Sequence, residues 1–367
     1  MANEMVSEGT DYLVRRSVQA ILDNQEANGA IVASPDFAQY HYCWLRDASF
    51  CAYALDLEGE HAASARYHSW VNRAVAGIAD VIDDVIAKHE RGDALDPSHM
   101  PPARFAFDGS TVVDDWPNFQ IDGYGTWLWS LGQHLQRTGS DRVPEDLVDS
   151  VDRVARYLSA FALSPCYDVW EEYGGDVHTS TLACAYGGLI VAHRLLGIAQ
   201  YETTAMNIRA RVLGDAARRG YFVKSSSIDD VDGSLLWLSV PFAMVEPTDR
   251  FFAQTVELIE SRLTFDGGIR RYDADLYFGS GSWPVLTSSL GLHYVAGGDL
   301  VKAAQYGDWS GARFDAEGRL GEQFGGEERD SQHYKEWVAR WGLPAKDLMW
   351  SHAMYVVLSR AIESAAR

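Results

Sequence analysis

Six times along this chain a loop rich in glycine, aspartate, tryptophan and tyrosine runs into an apolar stretch. That recurrence constrains the fold more than any other feature. The segments are Arg46-Asp-Ala-Ser-Phe, Phe119-Gln-Ile-Asp-Gly-Tyr-Gly, Trp170-Glu-Glu-Tyr-Gly-Gly leading to His178-Thr-Ser-Thr, Asp232-Gly-Ser-Leu-Leu-Trp, Tyr277-Phe-Gly-Ser-Gly-Ser-Trp and Leu348-Met-Trp-Ser-His-Ala. Helices are predicted to start near 47, 122, 178, 233, 283 and 350. The steps between them are roughly 50–75 residues, room for two helices and their loops. Other segments, at 7–26, 60–88, 145–162, 199–217, 250–263 and 352–366, carry apolar residues at three- and four-residue spacing. Leu147, Val151, Val154, Leu158 and Phe161 trace one such stripe.

Successive helical hairpins of this kind predict an all-α fold, a six-fold α/α barrel with six inner and six outer helices. The loops that open the inner helices then gather at one mouth, where polar and aromatic groups make a small-ligand pocket. The same pattern also fits an open solenoid of hairpins; uneven steps and the lack of a strict repeat favour the closed form. At ~100–200 residues per domain the length allows two or three domains. No Pro- or Ser-rich linker divides the chain, so a single catalytic domain over 1–367 is expected.

Hydrophobic residues make up 47% and charged residues 23%, which excludes disordered and fibrous classes. No run approaches the ~18 apolar residues of a membrane helix, and the first residues lack a secretory signal, so a cytoplasmic location is expected. Asp and Glu total 52 against 31 Lys and Arg, a net charge of −21. That field argues against nucleic acid and anionic membrane as partners and for a neutral or cationic ligand, although acidic residues also serve solubility. Cys43, Cys51, Cys166 and Cys184 form no C-x-x-C pair and read as buried core residues. No His/Cys/Asp group has ligand spacing and no G-x-G-x-x-G follows a strand, so neither metal nor organic cofactor is expected. Oligomeric state is left open.

Three loops set carboxylates beside aromatics: Trp44-Leu-Arg46-Asp47, Asp168-Val-Trp170-Glu171-Glu172, and Glu322-Gln323 before Phe324-Gly-Gly. Aromatic faces stack on sugar rings, while Asp, Arg and Gln bond their hydroxyls. Glycoside cleavage needs one carboxyl held protonated and one ionised. Crowding of like charges raises the pKa of one member of a carboxylate cluster, which makes a glutamate of the 168–172 group a sensible acid and Glu322 a sensible partner. Adjacent glutamates alone are more often a solvated face.

Taken in order, these motifs resemble glycoside hydrolase family 15, the glucoamylase family. Tyr42-Cys-Trp44-Leu-Arg46-Asp47 is similar to its Y-x-W-x-R-D, Gln120-Ile-Asp122-Gly123 to its Q-x-D-G, and Asp168-Val-Trp170-Glu171-Glu172 to its D-L-W-E-E. Arg271-Tyr272, Asp275, Tyr277 and Trp283 resemble its R-Y-x-x-D-x-Y segment, and Glu322-Gln323 and Asp347-Leu-Met-Trp350-Ser-His-Ala resemble E-Q and D-L-x-W-S-x-A. The family's fold is the six-fold α/α barrel. The resemblance implies Glu171 as general acid and Glu322 as general base. It implies Arg46, Asp47 and Arg271 on the terminal sugar, Trp170 as its wall, and Asp168 and Glu172 as supports of the acid. Trp350 and Gln323 shape the base side. Trp44, Gln120, Asp122, Asp275, Tyr277 and Trp283 complete the binding set.

The implied activity is inverting, exo-acting hydrolysis of short gluco-oligosaccharides with release of β-glucose, α-1,6 links favoured, with α-1,4 links or α,α-trehalose as alternatives. Inversion implies carboxyls ~6.5–9.5 Å apart. Rival readings are a non-catalytic sugar-binding regulatory module and a phosphorylase on the same barrel. The chain starts at the first barrel helix and ends at the last, without the β-sandwich or starch-binding domains of many members, which fits small substrates. The strip 324–347 is long for one loop; Gln332, Tyr334, Trp337 and Trp341 read as a short helix that either covers the second-sugar side or packs outside. His178 and His352 read as hydrogen-bond formers at helix starts. Phe119 and Trp127 line either the mouth or the core.

Overall fold

The computed structural model describes residues 2–367 apart from 113, 115 and 141, with side chains from residue 9 onward. Helices alternate between two layers along the chain. α1 (Ala2–Asp23) is outer, α2 (Leu45–Leu57) inner, and α3 (His61–Gly77) with α4 (Ala79–Arg91) outer. α5 (Asp122–Arg137) is inner, α6 (Val148–Phe161) outer, α7 (Thr179–Leu196) inner and α8 (Ala199–Arg219) outer. A 3-10 turn, Gly233–Leu238, is inner, α9 (Arg250–Leu263) outer, α10 (Pro284–Ala296) inner and α11 (Leu300–Gly311) outer. Two short helices, α12 (Gly326–Arg329) and α13 (Ser331–Trp341), precede the last inner helix, α14 (Met349–Ala366).

The inner elements pack in sequence, α2 on α5, α5 on α7, α7 on the 3-10 turn, that turn on α10, α10 on α14, and α14 back on α2. The ring closes, so the solenoid alternative is excluded. The sequence explains the layering. Leu45 to Ala52 of α2, Thr179 to Leu189 of α7 and Pro284 to Leu292 of α10 are buried without a break, as a helix surrounded on all sides requires. α9 instead buries Phe252, Thr255, Val256, Ile259 and Leu263, a single stripe facing inward. Where α5 crosses α7 the backbones touch. A Cβ on Gly125 would lie 2.3 Å from the Cys184 carbonyl oxygen, and one on Gly188 would lie 2.7 Å from the Gly125 oxygen. Only glycine permits that approach.

Four expectations need correction. The inner element at 233 is one 3-10 turn rather than an α-helix, because Pro241 lacks an N–H and disfavours helical geometry at Val240. The segment 60–88 breaks after Gly77, a weak helix former, with buried Ile78 at the joint. The stretch 352–366 is the body of inner α14, not an outer helix. The sixth outer helix is α11, whose sequence, with Gly307 and Gly311 and only Ala303 and Ser310 buried, carries little amphipathic signal.

Two small antiparallel ladders brace the mouth. β1 (Cys43–Trp44) pairs with β2 (Arg104–Phe105), and β3 (Thr264–Phe265) with β4 (Gly268–Ile269). β1 runs straight into α2, so Trp44 and Arg46 are fixed by backbone pairing on one side and helix on the other. All four cysteines are buried and free. Phe119 and Trp127 both lie in the core.

Candidate active site

The N-terminal ends of the inner helices surround a cavity of about 660 Å³. A larger cavity, about 1010 Å³, opens at their C-terminal ends. It holds neither Glu171 nor Glu322, and its Arg360 is already paired with Asp11, Glu58 and Glu363.

One wall of the first cavity is the loop before α7. Asp168 folds it: one carboxylate oxygen accepts the backbone N–H groups of Trp170 and Glu172, both at 2.9 Å. The other accepts Lys224 Nζ at 2.8 Å. Lys224 also reaches Asp232 at 2.6 Å, and Asp232 accepts the Trp170 indole N–H. Burial works against the Asp168 charge, yet Lys224 holds its carboxyl below the usual range. The tight turn leaves Glu171 at φ 61°, a left-handed conformation that costs a non-glycine residue on the order of 1–3 kcal/mol. The buried Asp168–Lys224–Asp232 chain sustains it and aims Glu171 into the cavity.

Glu171 is surrounded by charge. Arg46 Nη2 donates to its Oε1 at 3.3 Å, while Nη1 of the same guanidinium donates to Asp122 at 3.0 Å and Gln120 at 3.3 Å. Burial pushes the Glu171 carboxyl up to about 7; Arg46 opposes this, and the nearby Asp47 and Asp122 add to it. Asp47, ion-paired with Arg46 Nε at 3.2 Å, is itself raised to about 6, chiefly by burial.

Glu322 faces the same cavity from the loop before α12. Tyr40 donates its hydroxyl to Oε1 at 2.8 Å, and the Tyr277 hydroxyl lies 2.8 Å from that of Tyr40. Oε2 is buried without a hydrogen-bond partner among the described residues. Burial raises the Glu322 carboxyl to about 8; Tyr40 and Arg271 pull it down, and the charge of Glu171 pushes it up. The charge of Glu171 thus adds to the burial that raises Glu322. The adjacent Gln323 side chain also pulls it down, and its amide oxygen accepts the Gly281 N–H at 2.9 Å.

Aromatic rings make the floor. The ring centroids of Trp170 and Trp283 are 5.3 Å apart, Trp350 stacks on Phe50 at 5.8 Å, and Arg46 lies 5.0 Å over the Trp350 ring. The indole N–H groups of Trp44, Trp283 and Trp350 are buried and unpartnered. On the far wall Arg271 is clamped by Asp275 and donates to Glu172 at 3.3 Å, and Tyr272 bonds the other Glu172 oxygen. The 324–347 strip folds as α12 and α13. Its Trp337, Arg340 and Trp341 line the mouth, and Trp337 packs on Tyr277 at 4.8 Å. It is therefore not an outer packing helix.

Of the sequence-predicted residues, Trp44, Arg46, Asp47, Trp170, Glu171, Glu172, Arg271, Tyr277, Trp283, Glu322 and Trp350 line the cavity. Gln120, Asp122, Asp168, Asp275 and Gln323 lie behind them and hold the groups that do. Tyr40, Lys224 and Asp232 were not singled out for these positions. Tyr40 carries no signal beyond an aromatic run, and the Lys224–Asp232 pair meets Asp168 only through the fold. His178 bonds the carbonyl oxygens of Cys166 and Tyr173, and His352 bonds Asp347 and Ser17; both are structural.

A closed α/α barrel whose mouth sets two glutamates among packed indoles is the architecture of a sugar-cleaving enzyme. The chain belongs to glycosyl hydrolases family 15, whose model matches residues 8–313, and it is a glycoside hydrolase. It is 38% identical to isomaltose glucohydrolase from Kribbella flavida over 354 residues, 95% of this chain and 91% of that one. A point variant of a glycosidase solved in complex with glucose superposes with a TM-score of 0.92 at 37% identity, covering 97% of each chain. A bacterial glucoamylase complexed with acarbose shares the fold, at TM-score 0.72 and 19% identity, over 96% of this chain and 55% of that one.

Proposed function

We propose that the protein is an inverting exo-glucosidase that removes β-glucose from the non-reducing end of short α-glucosides, with isomaltose-like α-1,6 links preferred. One observation carries this reading. Glu171 and Glu322, brought from distant loops, face one aromatic-floored cavity, and burial holds both carboxyls in the neutral range.

On this reading the pair reacts with its single proton on Glu171, although in the substrate-free site Glu322, at about 8, holds a proton more tightly than Glu171, at about 7. Glu171, protonated, donates to the glycosidic oxygen as the bond from C1 breaks. Glu322, ionised and oriented through Oε1 by Tyr40, uses Oε2 to take a proton from a water that attacks C1 from the opposite face. The glucose leaves with inverted configuration. Arg46, Asp47 and Arg271 grip hydroxyls of the terminal ring, and the unpartnered indole N–H groups offer further donors. The substrate is neutral on this reading. Arg46 and Arg271, the cations nearest the carboxyls, are each paired to carboxylates and so are not free to bind phosphate, which disfavours a phosphorylase. The preference for α-1,6 links rests on the likeness to the isomaltose-cleaving relative. Trp337, Arg340 and Trp341 at the mouth confine the second sugar and limit chain length.

Proton NMR of the purified protein with isomaltose, maltose and trehalose, followed from the first minutes, tests the reading. β-Glucose appears first from isomaltose if it holds. Early α-glucose would refute inversion, faster release from maltose or trehalose would overturn the linkage, and no glucose from any would favour a binding module.

A further inference from the structure

A second cluster of chemistry-bearing side chains lies away from the cavity. Asp56 sits in the last turn of α2, His68 on α3 and His134 in the last turn of α5. Arg46, Asp47 and Asp122 occupy the first turns of those same inner helices, so the cluster stands near the other end of the barrel wall, roughly 13 Å along α2 from Asp47. One potential ligand atom from each of Asp56, His68 and His134 lies within 4.8 Å of the other two. Asp56 and His68 are 2% and 1% exposed. His134 Nδ1 is 3.0 Å from both Asp56 oxygens, and its ring centroid is 5.2 Å from that of His68.

Hydrogen bonding accounts for two of the three groups and not for the third. Both ring nitrogens of His68 are buried with no partner among the described residues. Buried polar groups are almost always bonded, so an imidazole left with neither nitrogen satisfied beside a carboxylate and another imidazole calls for a further atom.

We propose that Asp56, His68 and His134 form a structural binding site for a divalent ion of the zinc class, tying the inner helices α2 and α5 to the outer helix α3. Two imidazoles and one carboxylate are a donor set that such ions favour over magnesium or calcium. A tetrahedral ion with bonds of ~2.0–2.1 Å holds its ligand atoms roughly 3.4 Å apart, so a modest contraction of the cluster suffices. Ser64 donates to Asp56 Oδ2 at 2.7 Å and fixes the carboxylate from outside. Entry is by way of His61, one α-helical face with His68, whose half-exposed ring covers Asp56 at 2.8 Å. Sequence spacing did not reveal the set, because its members come from three helices.

Untagged full-length protein, stripped with chelator and desalted, is titrated with zinc chloride by calorimetry, and the dialysed product is analysed for metal. One zinc per chain is expected. At about 100-fold excess over the dissociation constant the melting midpoint should rise by on the order of 5 °C. Cobalt(II) in its place should give the intense visible bands of tetrahedral coordination. His68→Leu removes a ligand while keeping an apolar group in a buried slot. It is expected to bind zinc ~100-fold more weakly, with a metal-free midpoint no lower than that of the parent. His99→Ala, at an exposed histidine, should bind as the parent does. The site is overturned if the parent takes up no stoichiometric zinc, if His68→Leu binds as tightly as the parent, or if His99→Ala loses binding equally.

Discussion

Glu171 shows how much of this site is decided at one residue. Its folded-state carboxyl, near 7, stands above its ordinary 4.5, so the native chain holds that proton more tightly than the unfolded one. Stability from this group is full below pH ~4.5 and is lost as pH climbs through about 7. Glu171→Gln should therefore melt a few degrees higher than the parent at pH 8, with little gain at pH 4.5, while its rate on isomaltose falls by several orders of magnitude. An α-glucosyl fluoride, whose leaving group needs no proton, should be much less affected. Equal losses on both substrates would remove Glu171 from the acid role. Tyr40 acts on the partner carboxyl. Its hydroxyl stabilises ionised Glu322, and a hydrogen bond to a charged group is worth about 1.5–3 kcal/mol. In Tyr40→Phe the acidic limb of the kcat/KM profile should move up by roughly one to two pH units. A profile that falls uniformly without moving would assign Tyr40 to packing alone.

At the scale of elements, what the sequence made legible follows periodicity. α9, bounded at Arg250 and Leu263, coincides with the expected stretch 250–263, because its stripe is clean and Asp249 caps it by accepting the Phe251 and Phe252 N–H groups. The inner starts at 122, 178, 283 and 350 fall within a residue of the observed ones for the same reason: polar loops end abruptly in apolar runs. The 3-10 turn at 233 was misread because its buried run, Leu235 to Leu238, carries no length information, and Pro241 acts from beyond it. The contact between α5 and α7 is equally invisible in sequence, since Gly125 and Gly188 announce closeness only once a partner is known. Gly125→Ala should cost about 1–3 kcal/mol or more, read as a lower melting midpoint, because the Cys184 carbonyl cannot retreat without moving α7. On α13, Trp337→Ala should raise kcat/KM on three- and four-sugar substrates relative to the disaccharide by ~10-fold or less. An unchanged ratio would show that α13 does not limit chain length.

The whole molecule is a ring, and the ring is what gathers the site. The motifs named both glutamates and the tryptophans and arginines around them, yet their mutual placement depends on α14 meeting α2. Asp168, Lys224 and Asp232 are unreadable as a unit because the loop before α7 and the loop after α8 meet only through the fold. The same holds for Asp56, His68 and His134. Removing residues 349–367 should abolish the near-ultraviolet circular dichroism of the packed tryptophans while leaving helical signal, because Trp350 and its neighbours complete the floor. A truncated chain that kept that signal would mean the remaining elements close without α14.

The seam between α14 and the elements around α1 and α2 has a consequence for synthesis. The Met349 N–H is bonded to the Ala33 carbonyl, and α14 is wedged between α1, α2 and α10. A ribosome makes that helix after every other element of the ring. Until it emerges, the nascent polypeptide is a horseshoe with an open flank, and the indoles that floor the cavity in the finished fold lie bare to the solvent. The cavity thus takes shape only when that helix docks, and a product stalled or clipped before it is exposed in its most apolar region, where chaperones and proteases look first.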